Sequence, residues 1–295
     1  MRWTPRLILA ATVLFAASCG GPSTNPSSPP SGSGSSSCSK GHLHLIHAGQ
    51  LTIGTDNPAF PPWYAGGTKS GSIWKVNDPT TGKGYESAVA YSVAQQLGFS
   101  PDEVQWTYVP FNKSFAPGPK SFDFDINQIS YTPQRAKVVD FSDSYYNVNQ
   151  AVVVNKGTPI ASAHSIAALA SFKLGAQLGT TSYNFITSTI KPSQKPSVFP
   201  SNAGAVQALK NTGIDGLVVD LPTAFYVTAV QVPGSTILGQ FPSPPGGEHF
   251  GMVFAKGDPL VSCVNKALGT LRSNGTLKRL QDKWLAKATG AAVLK

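Results

Sequence analysis

The chain has 295 residues, 41% of them hydrophobic, enough for one large domain or two lobes. Its 23 basic and 14 acidic residues give a net charge of +9. No basic run or basic–aromatic stripe accompanies that charge, so it reads as a scattered solvated surface and speaks against nucleic-acid binding.

Arg2 and Arg6 precede an apolar run from Leu7 to Ala17 that ends in small residues before Cys19. Such a run is too short for a membrane span and reads as an export signal over residues 1–18. Without Arg2 and Arg6 the balance is 21 basic against 14 acidic residues, or +7. A cysteine following Ala-Ala-Ser resembles a bacterial lipoprotein box, which implies lipidation of Cys19, although Ala16 stands where leucine is usual. Residues 20–37 are Gly, Ser, Pro, Asn and Thr with no charge, a composition that cannot order itself. A tether over 19–41 follows, spanning roughly 25 Å root-mean-square. Cys38 and Cys263 are then the two remaining cysteines. Under oxidising conditions outside the cell they are expected to pair, two unrelated buried thiols being the alternative. His42, His44 and His47 match no strong zinc spacing and read as strand-edge residues.

LTIGT at Leu51 to Thr55 predicts a strand, leading into a Pro- and aromatic-rich loop up to Trp63 and a polar stretch from Gly66 to Gly84. Glu86 to Leu97 predicts a helix with Val89, Val93 and Leu97 on one face and Gly98 as its stop. Val104 to Val109 predicts a strand. Phe122, Phe124 and Ile126 then alternate with Asp123, Asp125 and Asn127, a period of two. Thr132 offers an N-cap and Pro133 a first helical residue, which puts Arg135 in a first turn. Unpaired N–H groups and a guanidinium at one point suit a carboxylate, while Arg135 alone is equally a solvated surface residue. After a strand at Gln150 to Val154 come helices predicted at Ser165 to Ala170, Thr181 to Ile190, Asn202 to Lys210 and Pro222 to Val230. Strands at Lys173 to Leu178, Ser197 to Phe199 and Gly216 to Asp220 separate them. That alternation implies parallel-rich sheets covered on both faces, an α/β fold. A strand at Phe250 to Phe254 and helices at Pro259 to Ser273 and from Thr276 close the chain.

Two segments carry a family resemblance. SYTPQRAKVVDFSDSYY, from Ser130, resembles the signature of the family 3 extracellular solute-binding proteins, the polar-amino-acid-binding proteins of ABC importers. KGDPLVSCVNKALGTLRSNGTLKRLQDKWL resembles the ending of the same family. The resemblance runs from about Leu51 to the C-terminus and implies a two-lobed type II periplasmic-binding-protein fold with the ligand cleft between lobes. Lobe one is expected over 42–149 and 250–295, lobe two over 150–249, with hinge crossings near Asn149 to Val152 and Glu248 to Met252.

Ligands of open parallel sheets sit beyond the carboxyl ends of strands. By resemblance, Arg135, Ser130 and Thr181 take the ligand carboxylate, and Asp220 with the Gln128 carbonyl takes the ammonium. The alternative for Thr181 or Ser182 is an N-cap of their own helix; for Asp220 it is likewise an N-cap. Asp56, Phe60, Phe111 and Gln177 are expected at the ligand side chain. Gln177 stands where glutamine-specific relatives carry lysine. The implied protein is non-enzymatic and without cofactor or metal. It is expected to be a monomer, held by lipid on the outer face of the cytoplasmic membrane and delivering a polar amino acid to an ABC permease and its ATPase. A cyclohexadienyl/arogenate dehydratase-like enzyme on this scaffold, with Glu86 or Glu248 as general acid, is the alternative; a ligand-sensing module is another.

Overall fold

The computed structural model describes residues 38–243, 246–285 and 291–295. The signal sequence, Cys19 and the tether up to residue 37 lie outside the described residues. Among the described residues, twelve strands and seven α-helices follow in chain order. They are β1 (Leu51–Thr55), α1 (Tyr85–Gln96), β2 (Val104–Tyr108), α2 (Phe111–Ser114), β3 (Phe124–Asp125), β4 (Asp140–Phe141), β5 (Tyr146–Val148), β6 (Gln150–Asn155), β7 (Leu174–Gln177) and α3 (Thr181–Phe185). Then come β8 (Ser197–Phe199), α4 (Asn202–Lys210), β9 (Gly216–Asp220), α5 (Leu221–Tyr226), β10 (Ser235–Gln240), β11 (Glu248–Phe250), β12 (Val253–Phe254), α6 (Leu260–Ser273) and α7 (Thr276–Leu285).

Two five-stranded sheets result, in the orders β2-β1-β3-β12-β4 and β10-β6-β9-β7-β8. In the first, β1 runs parallel to β2 and β3, while β12 is antiparallel to β3 and β4. In the second, β7, β8 and β9 are parallel, and β6 is antiparallel to β9 and β10. Each sheet has its own core. All five residues of β1 are buried, packing with α1, α6 and α7 through Val89, Val93, Val264 and Leu268. Truncating such a side chain, Ile53→Ala for example, costs about 2–5 kcal/mol. Around the second sheet, apolar side chains fill both faces: Val153, Leu217 and Leu209 on one, Val152, Leu174 and Ile186 on the other.

β5 and β11 pair antiparallel in a separate two-stranded ribbon. Here the chain passes from the first sheet to the second, through Asn149, and back again between β11 and β12. Gly251 and Met252 interrupt the single strand predicted over Phe250 to Phe254. The α1 stop is as read: Gly98 has φ +89°, a conformation open to glycine at little cost.

Two domain boundaries need correction. Cys38 is disulfide-bonded to Cys263 in α6, with Cα atoms 5.3 Å apart, and Lys40 pairs with Glu103. Residues 38–41, assigned to the tether from the sequence, thus include two that are tied to the fold. At the other end, Ala291–Lys295 do not join the first lobe. Their backbone pairs with the outer strand β10, where Gln240 N donates to Ala292 O (2.8 Å) and Leu294 N to Gln240 O (2.9 Å). Leu294 is 5% exposed in the second core. It packs where Gly239 leaves no side chain, and the segment covers backbone groups that an edge strand would otherwise present to solvent.

The helix predicted after Pro133 is a single 3₁₀ turn, Arg135–Lys137. Thr132 still caps it, accepting from Arg135 N at 3.1 Å. The chain then has to reach β4 at Asp140, so no longer helix forms, and helix-end N–H groups do not build the site. The helices predicted to Ile190 and Val230 are present but wind into π turns in their second halves, at Ile186–Ile190 and Val227–Gln231.

Candidate functional site

A cavity of about 110 Å³ lies between the two sheets. A single buried water needs roughly 10–15 Å³, so this space takes a solute of several heavy atoms. Nine residues named from the sequence line it: Asp56, Phe60, Phe111, Gln128, Ser130, Arg135, Gln177, Thr181 and Asp220. They come from both sheets, at the carboxyl ends of β1, β2, β3, β7 and β9 or in the segments that follow. Asp56, Arg135 and Asp220 are the only charged side chains on the wall among the described residues.

Arg135 is 8% exposed. Its Nη1 donates to Ser130 O at 2.6 Å and its Nη2 to Gly179 O at 2.7 Å, the second bond reaching from the first lobe to the second. The guanidinium carbon sits 4.1 Å from the Phe115 ring centre and 5.7 Å from that of Phe111, which fixes the plane of the fork. Burial pulls its pKa down to about 10, opposed by Glu248 and Asp220, so it stays charged at neutral pH.

Gln128 has φ +48°, unusual for a side-chain-bearing residue. Glu86 explains it. This fully buried carboxylate accepts from Gln128 N at 2.6 Å, from Gln128 Nε2 and from the Tyr145 hydroxyl. Burial lifts Glu86 to about pKa 7, with those hydrogen bonds pulling the other way. Both amide groups of Gln128 are thus turned onto Glu86, away from the neighbouring cavity.

Thr180 is the N-cap of α3, accepting from Tyr183 N at 3.1 Å. Neither Thr181 nor Ser182 has that task, so the alternative reading of those two residues does not hold. The Thr181 hydroxyl lies 3.4 Å from Ser130 Oγ and 3.5 Å from Gln150 Nε2. Gly179, at φ +78°, lies so close to Asn112 that a Cβ there would be 2.2 Å from Asn112 Oδ1.

Asp220 makes no capping bond to α5. It accepts instead from Gln150 Nε2 at 2.5 Å, and the same nitrogen lies 3.1 and 3.2 Å from the Glu248 oxygens. Glu248 also accepts from Ser130 Oγ at 2.5 Å. Two carboxylates therefore share one amide donor. Burial first, and Glu248 second, push the Asp220 pKa up to about 8. Asp56 also lies above the ordinary range, through burial, although Asn57 N donates to its Oδ1 at 2.7 Å.

Sequence reading missed the Gln150–Glu248 pair, Phe115 and Tyr226. Tyr226 faces Phe60 across the cavity mouth at 6.3 Å between ring centres. Trp63 Nε1 to Thr223 Oγ1, 3.3 Å, is a further contact between the lobes. Gln150 and Glu248 lie within the hinge crossings expected near Asn149 to Val152 and Glu248 to Met252, but their contact with each other was not anticipated. Among the described residues no group of His, Cys, Asp or Glu is placed to hold a metal ion, and no helix is long and apolar enough to cross a membrane.

A sheet-to-sheet cleft with opposite charges on its walls is the architecture of a solute-binding protein. The chain belongs to the bacterial extracellular solute-binding proteins, family 3, whose model matches residues 51–287. It is 28% identical over 198 residues to a probable histidine-binding protein of Neisseria gonorrhoeae, covering 64% of this chain and 71% of that one. To an ABC transporter glutamine-binding protein of Bacillus subtilis it is 26% identical over 218 residues, covering 72% and 77%. Among solved structures, an ancestral arginine-binding protein bound to glutamine superposes with a TM-score of 0.67 at 29% identity, over 81% of this chain and 98% of that one.

Proposed function

We propose that this protein captures a free, polar α-amino acid between its lobes for an ABC importer, without catalysing a reaction. The observation that supports it most is the convergence of Arg135 and Asp220 on one amino-acid-sized cavity from opposite sheets. Arg135, Ser130 and Thr181 receive the carboxylate. Asp220 and the Gln128 carbonyl receive the ammonium. Phe60 and Phe111 flank the side chain, and Asp56 and Gln177 offer it polar contacts. A ligand that touches both lobes favours the closed arrangement by its differential affinity, the ribbon of β5 and β11 being the hinge.

A dehydratase needs a general acid at the substrate. Glu86 lies in the first core with its oxygens engaged by Gln128 and Tyr145, and it is not part of the cavity wall. Glu248 is occupied by Ser130 and Gln150. Neither favours catalysis. The exported chain is held by lipid at Cys19 on the outer membrane face as a monomer, and a permease with its ATPase takes up the ligand.

Calorimetry against the twenty common amino acids tests this. Binding at micromolar Kd, about −8 kcal/mol, is expected for at least one. Folded protein that gives no heat with any of them at millimolar concentration would refute it.

A further inference from the structure

Asn127 follows β3 as Asp56 follows β1. The two strands are parallel and in register at Ile53↔Phe124 and Gly54↔Asp125, so continuing that register sets Asp56 beside Asn127. Both line the cavity. Asn127 is 7% exposed, and its Nδ2 is a buried donor without a partner among the described residues. The direction of its amide is set. Gln128 Nε2 is turned to the Glu86 carboxylate and also lies 3.4 Å from Asn127 Oδ1. A flipped Asn127 would put an N–H₂ against that N–H₂. The carbonyl end of Asn127 is therefore taken, and a donor remains beside a carboxylate.

We infer that Asn127 and Asp56 together select an amino acid whose side chain ends in a primary carboxamide. The inference rests on the reading of the cavity as an amino-acid site. Arg135 and Asp220 are there assigned to the backbone zwitterion; of the polar groups left for the side chain, Asp56 and Asn127 stand side by side on the first sheet, with Gln177 on the second. A carboxamide brings one acceptor and one N–H₂ donor. Its carbonyl accepts from Asn127 Nδ2 and its N–H₂ donates to Asp56. An arginine or lysine side chain has no acceptor, so it pairs with Asp56 and leaves the Asn127 donor buried and unsatisfied. A carboxylate side chain satisfies Asn127 and faces Asp56, a like charge. One lost hydrogen bond to a buried group corresponds to about a 5- to 150-fold loss of affinity.

Calorimetric titration of the full chain with L-glutamine, L-asparagine, L-glutamate, L-arginine and L-histidine tests it, on wild type and on N127A and N127D. Wild type is expected to bind glutamine or asparagine at least tenfold tighter than the other three. N127A should lose that margin. N127D replaces the donor with an acceptor at nearly constant shape, and its preference should move to arginine. Unliganded melting curves identify any variant that fails to fold; if N127A does so, N127D alone decides. Arginine, histidine or glutamate binding tightest to wild type overturns the carboxamide assignment while the amino-acid reading stands. An unchanged preference in a folded N127D overturns it equally. Heat with none of the five, but with another amino acid, also overturns it; heat with no amino acid at all defeats the underlying reading instead.

Discussion

Asp220 should make ligand binding depend on pH above the range where most carboxylates titrate. With its pKa raised to about 8, Asp220 carries a proton at neutral pH in the unliganded protein. An ammonium group binds the ionised form, so it lowers the pKa in the complex and expels that proton. The sign is fixed: Asp220 is half ionised at pH 8, and affinity is lost as pH drops below that value. The ionised fraction is one half at pH 8 and about one hundredth at pH 6, so Kd should weaken about 50-fold between them, slightly over 2 kcal/mol. The charged or titratable groups around Asp220 are Glu248, Glu86, Arg135 and Tyr146, and Glu86, lifted to about 7, titrates in the same window. Arg135 does not titrate in that window, and burial beside Asp220 takes Tyr146 up to about 12. Calorimetry at pH 6, 7, 8 and 9, in two buffers of different ionisation enthalpy, reads both Kd and the protons released. Glu248→Gln removes the second cause of the shift and should move the break to lower pH. Asp220→Asn should bind weakly and lose the step near pH 8, leaving only what Glu86 contributes near pH 7. A flat wild-type profile between pH 6 and 8 with no proton release would mean that Asp220 does not meet the ligand cation.

Three further outcomes are expected. Arg135→Ala should weaken every amino acid ligand, by about 150- to 5,000-fold on the 3–5 kcal/mol scale of a broken buried charge contact, with the unliganded circular dichroism unchanged. Loss of only some ligands would give Arg135 a different role. Gly179→Ala combines φ +78° with a clash on Asn112 and should weaken binding at least tenfold. The double variant with Asn112→Ala should recover the steric part, and failure to recover any would remove the clash from the explanation. Asp125→Asn should stabilise the protein. Asp125 is 0% exposed and burial holds its pKa well above the usual range, so the wild type loses stability as pH rises above about 4, where the unfolded chain ionises freely. The gain in the variant should grow as pH rises above about 4, by at most about 1.4 kcal/mol per pH unit, until Asp125 ionises in the folded protein, seen as melting temperatures that diverge with pH. A difference constant with pH would refute it.

The strand ends were readable because they combine short apolar runs with a polar residue at the last position, as at Asp56 and Asp220. Asp56, Asp220 and the residues around Arg135 follow from that rule and from the Arg135 motif; Phe60, Phe111, Gln177 and the choice of Thr181 came from the family resemblance. The alternation of Phe122 to Asn127 was readable as a strand but misleading about its faces. All six residues are buried, because Asp123 receives the backbone N–H groups of Ile46 (2.8 Å) and Thr52 (2.7 Å) and so covers its own side of the sheet. The Gln150–Asp220–Glu248 junction was not readable. Its members are 70 and 98 positions from Gln150, and no local periodicity registers a contact of that range. β5, β11 and the outer strand β10 escaped for a related reason. Their strand character comes from pairing with distant segments and not from their own composition.

The Cys38–Cys263 bridge gives the N-terminal end of the fold a mechanical role. Tension arriving along the chain before Cys38 would reach β1 first if the backbone were the only path, and a parallel strand drawn from one end gives up its hydrogen bonds one at a time. The disulfide offers a shorter route, directly into the first turn of α6, whose Val264, Leu268 and Leu271 are anchored in the first core. Load is then shared by a whole packed layer. With respect to anything that holds the N-terminus, the first lobe is the one attached directly, and the second is connected to it through the ribbon.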